Sequence, residues 1–273
     1  MTQHFIVIGN PIAHSKSPDI HADFAKQVGL DIRYARQYCP DNQDSFIAVV
    51  EAFFAGGGVG ANVTVPFKQM AYELCEQRGG LSQHAQVAGA VNTLMQKEGH
   101  LYGDNTDGQG LVNHIQQLGW QLDTAKVAII GAGGAARGVI LPLIQAGISQ
   151  LTLANRTLDK ATTLLQQLRQ ADTQIANAKT QVCAINELTG HFDVIINATS
   201  IGLSGEKLPL QNSLTCVYAY DMMYGRELPF LQHFAKQDSQ ISDGYGMLIG
   251  QAALSFELWT GQQPTTAAAA FMD

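Results

Sequence analysis

The sequence predicts an α/β protein of two domains, each organised on a mainly parallel sheet. Three observations carry that expectation. Short apolar runs alternate with amphipathic helical stretches along the chain. One of those runs opens directly into a glycine turn and a new helix. The 273 residues are enough for two domains of ordinary size, each burying its own core.

In chain order, FIVIG (5–9) reads as the first strand, followed by a polar loop and a helix over 18–28 with Pro18 near its first turn. A second strand lies over 32–37. Residues 44–55 have helical periodicity and stop at Gly56, Gly57 and Gly58, after which GANVTV (60–65) supplies a buried strand. This alternation implies a parallel sheet for the first hundred residues. Residues 108–118 read as a helix ended by Gly119, followed by the strand KVAII (126–130). Then come the strand LTLA (151–154), an amphipathic helix over 159–171, a polar linker, and the strands FDVIINATS (192–200) and VYAYDMMY (217–224). The last helix, 247–260, is rich in Leu, Ala, Phe and Trp and is expected to return to the first domain. The resulting division is 1–108 with 245–273 as a substrate-binding and catalytic domain, and 109–244 as a nucleotide domain. A cleft is expected between the lobes, with glycines 108 and 244 near the crossings able to absorb a closing rotation.

Composition narrows the function. A hydrophobic content of 46% with 14% charged residues marks a globular protein rather than a disordered one. The net charge of −7 argues against a general nucleic-acid binder, which needs a basic face. The N-terminus has no basic region before its short apolar run, and no stretch reaches membrane-spanning length, so neither signal peptide nor anchor is expected. Cys39, Cys75, Cys183 and Cys216 are scattered without CxxC spacing, which predicts free thiols in a reducing cytoplasm and no metal site.

KVAIIGAGGAARG (126–138) carries the first chemistry. Gly131 permits the tight strand-to-helix turn, Gly133 lets backbone approach a pyrophosphate, and Ala136 lets the helix pack closely on its strand. The helix N-terminus then faces the phosphates. The next strand ends in Asn155, Arg156 and Thr157, where an NAD-binding unit usually carries a carboxylate for the ribose 2′-hydroxyl. An Arg there pairs with a 2′-phosphate, Lys160 adds a second cation one turn on, and the charge logic favours NADP. This is a Rossmann-type doubly wound unit.

In α/β sheets ligands sit beyond the carboxyl ends of strands. In the first domain those positions hold Ser15 and Ser17, then Asn62, Thr64 and Lys68, then Asn92, and finally Asn105, Thr106 and Asp107. Taken singly, each has a plainer reading: the serines as helix caps, the asparagines as turn residues, Lys68 as a solvated side chain. Convergence on one sheet edge favours a ligand carrying several hydroxyls and a carboxylate. Lys68 with Asp107 is the pair suited to catalysis, because reducing a ketone needs a proton at oxygen as hydride reaches carbon. His14 reads as a loop-stabilising residue and His21 as a helix residue facing the core.

These residues resemble the shikimate dehydrogenase family over nearly the whole chain. The shared motifs are GNPIAHSKSPDIH (9–21), GANVTVPFK (60–68), AGAVNT (88–93), GDNTDGQG (103–110), GAGGAARG (131–138), NRT (155–157), NATSIG (197–202) and DGYGMLIGQA (243–252). The resemblance implies NADPH-dependent reduction of 3-dehydroshikimate to shikimate, toward chorismate and the aromatic amino acids. It implies that Ser15 and Ser17 hold the substrate carboxylate, that Asn62, Thr64, Asn92, Thr106 and Gln251 bind its hydroxyls, and that Lys68 and Asp107 are catalytic. On the cofactor side it implies Gly131, Ala132, Gly133, Gly134 and Ala135 at the pyrophosphate, and Asn155, Arg156, Thr157 and Lys160 at the adenosine phosphate. Thr199, Met223, Gly244 and Met247 fall near the ribose and nicotinamide. The chain departs from the family pattern at Ala22, where Asn is common, and at Tyr224, Gly225 and Arg226, where YNP is common; Arg226 bears on the nicotinamide side. A monomer or homodimer is expected.

Two other readings compete. A relative that also oxidises quinate, with relaxed cofactor choice, is disfavoured by Ser15, Ser17 and Arg156. A catalytically silent sensor of dinucleotides or metabolites is disfavoured by the retention of both Lys68 and Asp107.

Overall fold

The structure, a computed structural model, describes residues 2–201 and 207–266; Gly202, which ends NATSIG, lies outside them. Contacts divide the chain into two units, one holding the residues up to Gly110 and from Ile249 onward, the other Leu111–Leu248.

The first unit is built on β1 (Gln3–Gly9), β2 (Ile32–Tyr38), β3 (Gly60–Val63), β4 (Gly79–Leu81), β5 (Thr93–Lys97) and β6 (His100–Asp104), in the order β2-β1-β3-β5-β6-β4. Around them run α1 (Ser17–Val28), α2 (Gln43–Ala55), α3 (Lys68–Arg78), α4 (Gln83–Ala88) and the start of α5 (Asp107–Gln117). Residues 5–9 of β1 and the whole of β3 are buried, as central strands require, with Asn62 the one polar side chain among them. Phe46 of α2 and Leu74 of α3 pack with Ile6, Ile8, Phe67 and Leu94 in one core.

One strand departs from the expected parallel pattern. β5 runs antiparallel to both β3 and β6, because Glu98 and Gly99, both at positive φ, close a two-residue hairpin between Lys97 and His100. That reversal brings the start of β5 and the end of β6 to the edge where β1 and β3 end. The GANVTV strand also stops early, at Val63, since Thr64 turns the chain with its carbonyl accepting from Phe67 N at 2.9 Å.

The second unit holds β7 (Lys126–Ile130), β8 (Gln150–Asn155), β9 (Thr180–Ala184), β10 (Gly190–Asn197), β11 (Leu214–Asp221) and β12 (Gln240–Ser242). All are parallel, in the order β12-β11-β10-β7-β8-β9, the doubly wound 3-2-1-4-5-6 arrangement. α6 (Gly134–Gln145), α7 (Leu158–Ala171), α8 (Thr173–Asn177) and α9 (Pro229–Ala235) accompany them. The polar linker after residue 171 is therefore α8 and β9, the latter an edge strand whose half-buried side chains lack the apolar run of a central strand. VYAYDMMY is strand only to Asp221.

α10 (Tyr245–Thr260) and α5 both contain a boundary of the division. Within the first unit the two helices meet through glycines. A Cβ on Gly110 would lie 2.5 Å from Gln251 N, and one on Gly250 would lie 2.7 Å from Gly110 O. Both backbones are immovable neighbours, so only hydrogen fits. We expect Gly110→Ala to destabilise the first unit by about 1–3 kcal/mol through overpacking, measured by urea unfolding against the parent protein.

Candidate active site

At the carboxyl edge of the first sheet, a buried polar network joins several strands and helices. Asn62 lies one residue before the end of β3, Asn92 precedes β5, Thr106 follows β6, Asp107 begins α5, Lys68 begins α3, and Gln251 and Ser255 lie on α10. Asn62, Asn92, Thr93, Thr106, Gln251 and Ser255 are all buried. Burying so many polar groups costs free energy unless each is paired.

The pairing fixes the direction of the central amides. The backbone N–H of Thr106, which only donates, bonds Asn92 Oδ1 at 2.9 Å, so the Asn92 amide nitrogen must point the other way. It donates to Asp107 Oδ1 and Thr106 Oγ1, each at 2.9 Å. Gln251 Oε1 lies 3.4 Å from the same nitrogen. Lys68 Nζ donates to the other carboxylate oxygen, Asp107 Oδ2, at 2.6 Å. Asp107 is thus held from two sides, by a fixed amide and by an ammonium. Both members of the ion pair remain partly exposed, with side-chain accessibilities of 31% and 24%, which leaves them reachable by a ligand.

Farther in, Tyr34 donates to Asn62 Oδ1 at 2.7 Å, turning Asn62 Nδ2 toward Asn92 O at 3.1 Å and Ser255 Oγ at 3.0 Å. Thr93 Oγ1 donates to Asn92 Oδ1 at 2.8 Å and lies 2.7 Å from Ser255 Oγ. Tyr34, Thr93 and Ser255 were not singled out by sequence reasoning. Thr93 sits inside AGAVNT and was within reach; Tyr34 and Ser255 come from an edge strand and a distant helix, with no motif to mark them.

Ser15 and Ser17 stand at the end of the loop after β1, with their hydroxyls 3.2 Å apart. Neither is a helix cap of the ordinary kind: α1 has Lys16 at its N-cap and no side-chain cap bond, although Ser15 Oγ accepts from Ser17 N at 3.3 Å. A Cβ on Gly9 would strike Thr64 Cγ2 at 2.6 Å, so glycine lets this loop and Thr64 lie side by side. His14 is exposed, and among the described residues its ring holds nothing; the loop is instead gripped by Arg36, which donates to Ser15 O from Nε at 3.0 Å and Nη2 at 2.6 Å.

His21 faces the core, stacked on Tyr34 with centroids 4.4 Å apart and on Trp259 at 5.4 Å. Neither ring nitrogen reaches a partner at hydrogen-bonding geometry, so burial dominates over the nearby Asn62 side chain and pushes the pKa down to about 3.

In the second unit, Gly131 takes φ of +115° between β7 and α6, and a Cβ there would meet Thr199 Cγ2 at 3.0 Å and Ala198 O at 3.1 Å. Gly133 and Gly134 have open space above them, Ala135 is exposed, Ala132 half-buried, and no side chain caps the helix. The free backbone N–H groups of α6 suit a pyrophosphate. Past β8, Asn155 Nδ2 donates to Thr157 O at 2.8 Å, closing the turn that leaves Arg156, Thr157 and Lys160 exposed with no carboxylate between Asn155 and Thr157. These features fit an NADP-type dinucleotide.

Asn197 and Asp221, also not singled out from sequence, organise the strand ends opposite. Asn197 Nδ2 donates to Asp221 Oδ2 at 2.9 Å, its Oδ1 accepts from Thr199 N and Oγ1, and Asp221 Oδ1 accepts from Met223 N at 3.0 Å. Burial raises the Asp221 pKa against those hydrogen bonds. Met223 O in turn accepts from Gly244 N at 2.9 Å, and a Cβ on Gly244 would strike Met222 O at 2.2 Å. Met247 is buried one turn on. Tyr224, in the departing segment, is exposed, with its ring 5.8 Å from that of Tyr245. Among the described residues no acidic, histidine or cysteine cluster suits a metal, and no helix is long and apolar enough to cross a membrane.

Comparison with known proteins covers both units. The family model described as "Shikimate dehydrogenase substrate binding domain" matches residues 7–94, "Shikimate / quinate 5-dehydrogenase" matches 112–204, and "Shikimate 5'-dehydrogenase C-terminal domain" matches 244–269. The chain is 68% identical over 271 residues to the shikimate dehydrogenase (NADP(+)) of Psychrobacter arcticus, covering 96% of this chain and 94% of that one. Among solved structures, an Ael1 enzyme from Pseudomonas putida matches with a TM-score of 0.89 and 37% identity, covering 98% and 97% of the two chains. The shikimate 5-dehydrogenase of Thermus thermophilus in complex with NADP(H) and shikimate matches with a TM-score of 0.82 and 29% identity, covering 98% and 97%.

The buried imidazole gives the first unit a pH dependence. The folded pKa of His21, about 3, lies below its ordinary 6.5. The unfolded chain therefore binds a proton that the folded chain refuses, and stability falls as pH drops below 6.5, by at most ~1.4 kcal/mol per pH unit. We expect His21→Phe, which keeps the ring stack, to remove this component between pH 6.5 and 4.5, as read from urea midpoints.

Proposed function

The chain belongs to the shikimate dehydrogenase family, and from that premise we propose that it catalyses the reversible NADPH-dependent reduction of 3-dehydroshikimate to shikimate. The observation that carries the reading is the Lys68 Nζ to Asp107 Oδ2 contact of 2.6 Å, with Asp107 locked by Asn92.

When bound, the nicotinamide supplies hydride to the carbonyl carbon. Lys68 delivers a proton to the carbonyl oxygen as its double bond becomes single, leaving a neutral amine that recovers a proton from solvent. In the oxidative direction the neutral amine takes the hydroxyl proton. Asp107 aims Lys68 and accepts from the same substrate hydroxyl, while the fixed Asn92 amide keeps the carboxylate from swinging away. Asn62, Thr64, Asn92, Thr106 and Gln251 bind the ring hydroxyls, and Ser15 and Ser17 the carboxylate. Gly131 to Ala135 would take the pyrophosphate, and Asn155, Arg156, Thr157 and Lys160 the 2′-phosphate. Thr199, Met223 and Gly244, pinned through Asn197 and Asp221, would line the nicotinamide side with Met247.

A reducing cytoplasm suits the four free cysteines, and a small carboxylic acid rather than nucleic acid suits a net charge of −7. The proposal is for a monomer or homodimer.

Shikimate oxidation followed at 340 nm tests the reading. We expect Lys68→Ala to lower kcat by ~10²–10⁴-fold with shikimate affinity nearly kept, as loss of proton transfer predicts; unchanged turnover would remove Lys68 from the mechanism. Cofactor choice is tested separately. Arg156→Gln is expected to cost roughly 10- to 100-fold in kcat/KM with NADP and little with NAD, the range of a lost charge-assisted hydrogen bond. A parent protein that prefers NAD would overturn the assignment.

A further inference from the structure

Resting on the reading that Ser15 and Ser17 take a carboxylate, we propose that Arg36 is the positioning residue that makes this neutral serine pair an anion site and so sets the preference for an acid over an uncharged analogue. Two hydroxyls bring no net charge to a carboxylate that must shed water to bind them, and the loop's own cation, Lys16, is exposed with its ammonium bonded to neither serine among the described residues. Arg36, from the neighbouring edge strand, supplies a cation that is only partly exposed and is fixed against the loop. Its guanidinium reaches the carbonyl between the two serines through two N–H groups, Nε at 3.0 Å and Nη2 at 2.6 Å.

That fork does two things. It fixes the peptide plane after Ser15, and with it the hydroxyl pair at 3.2 Å, of which Ser17 is buried. It also covers a carbonyl oxygen whose negative end would otherwise be free to face an incoming anion, and polarises the attached peptide N–H toward stronger donation.

The charge is not spent elsewhere. Asp19 Oδ2 lies 3.5 Å from Nη2, longer than either bond to Ser15, and its side chain is 76% accessible against 37% for Arg36. A pair that open to solvent is weakly coupled. Asp19 therefore leaves the field of the guanidinium at the loop largely uncancelled.

The test compares shikimate with its isosteric, uncharged carboxamide, using KM or, where turnover is slow, the competitive inhibition constant. Arg36→Gln is expected to raise KM for the acid by ~10- to 100-fold, the range of a charge-assisted hydrogen bond, while kcat and the carboxamide constant change by less than about threefold, within the spread of minor repacking. Arg36→Lys keeps charge and loses the fork, so it is expected to fall between parent and Arg36→Gln; it also carries the test if Arg36→Gln does not fold. Equal losses for acid and carboxamide would reduce Arg36 to loop support and overturn the inference, as would no loss for either. Failure of the parent protein to oxidise shikimate would instead remove the function on which the inference rests.

Discussion

A single amide orients the chemistry of the first unit. Asn92 is 2% exposed, and its buried oxygen and nitrogen each find protein partners. Because a backbone N–H claims the oxygen, the nitrogen is committed to Asp107, and the carboxylate is committed to lie where Lys68 meets it. Reversing that amide would set donor against donor. The geometry of the ion pair thus follows from hydrogen-bond arithmetic several ångströms deeper, where the effective dielectric is low and a mismatch costs most.

The two units hold their ligand-facing groups by different physical means. In the first, side chains from strand ends and from α10 interlock, and each is immobilised by another buried polar group. In the second, backbone does the work: a glycine at positive φ, two glycines with open space above them, and the uncapped start of α6. Such a cradle needs few specific side chains, which is why its residues are small. Asn197 and Asp221 play there the part that Asn92 plays in the first unit, fixing backbone amides of Thr199 and Met223.

An apolar wall stands behind the first-unit network. His21, Tyr34, Phe5 and Trp259 stack against one another, and Tyr34 reaches from the stack into the polar network through its hydroxyl. Burial holds that phenol above its ordinary pKa, so it stays a donor and Asn62 keeps its orientation. The neutral imidazole beside it adds ring surface without adding charge. Arg36 stands on the same strand two residues further along, at the exposed end, so β2 contributes an aromatic support to the interior and a cation to the loop.

Much of this was legible in the linear sequence wherever neighbours in the chain set the structure. The parallel sheet of the second unit, its glycine turn and the Arg in place of a carboxylate are local patterns of hydrophobic period and residue type. The motif positions Asn62, Asn92, Thr106 and Asp107 stood out because each lies in or beside the end of a strand. What the sequence could not show was the antiparallel turn of β5, which depends on a two-residue hairpin yet decides which strand ends share an edge. Nor could it show that Tyr34, Ser255 and Arg36 attend that edge, since β2 and α10 reach it only through folding. Local propensity fixes elements, but hydrogen-bond direction and charge placement depend on atoms brought together from up to 193 positions apart, and only the tertiary structure settles those.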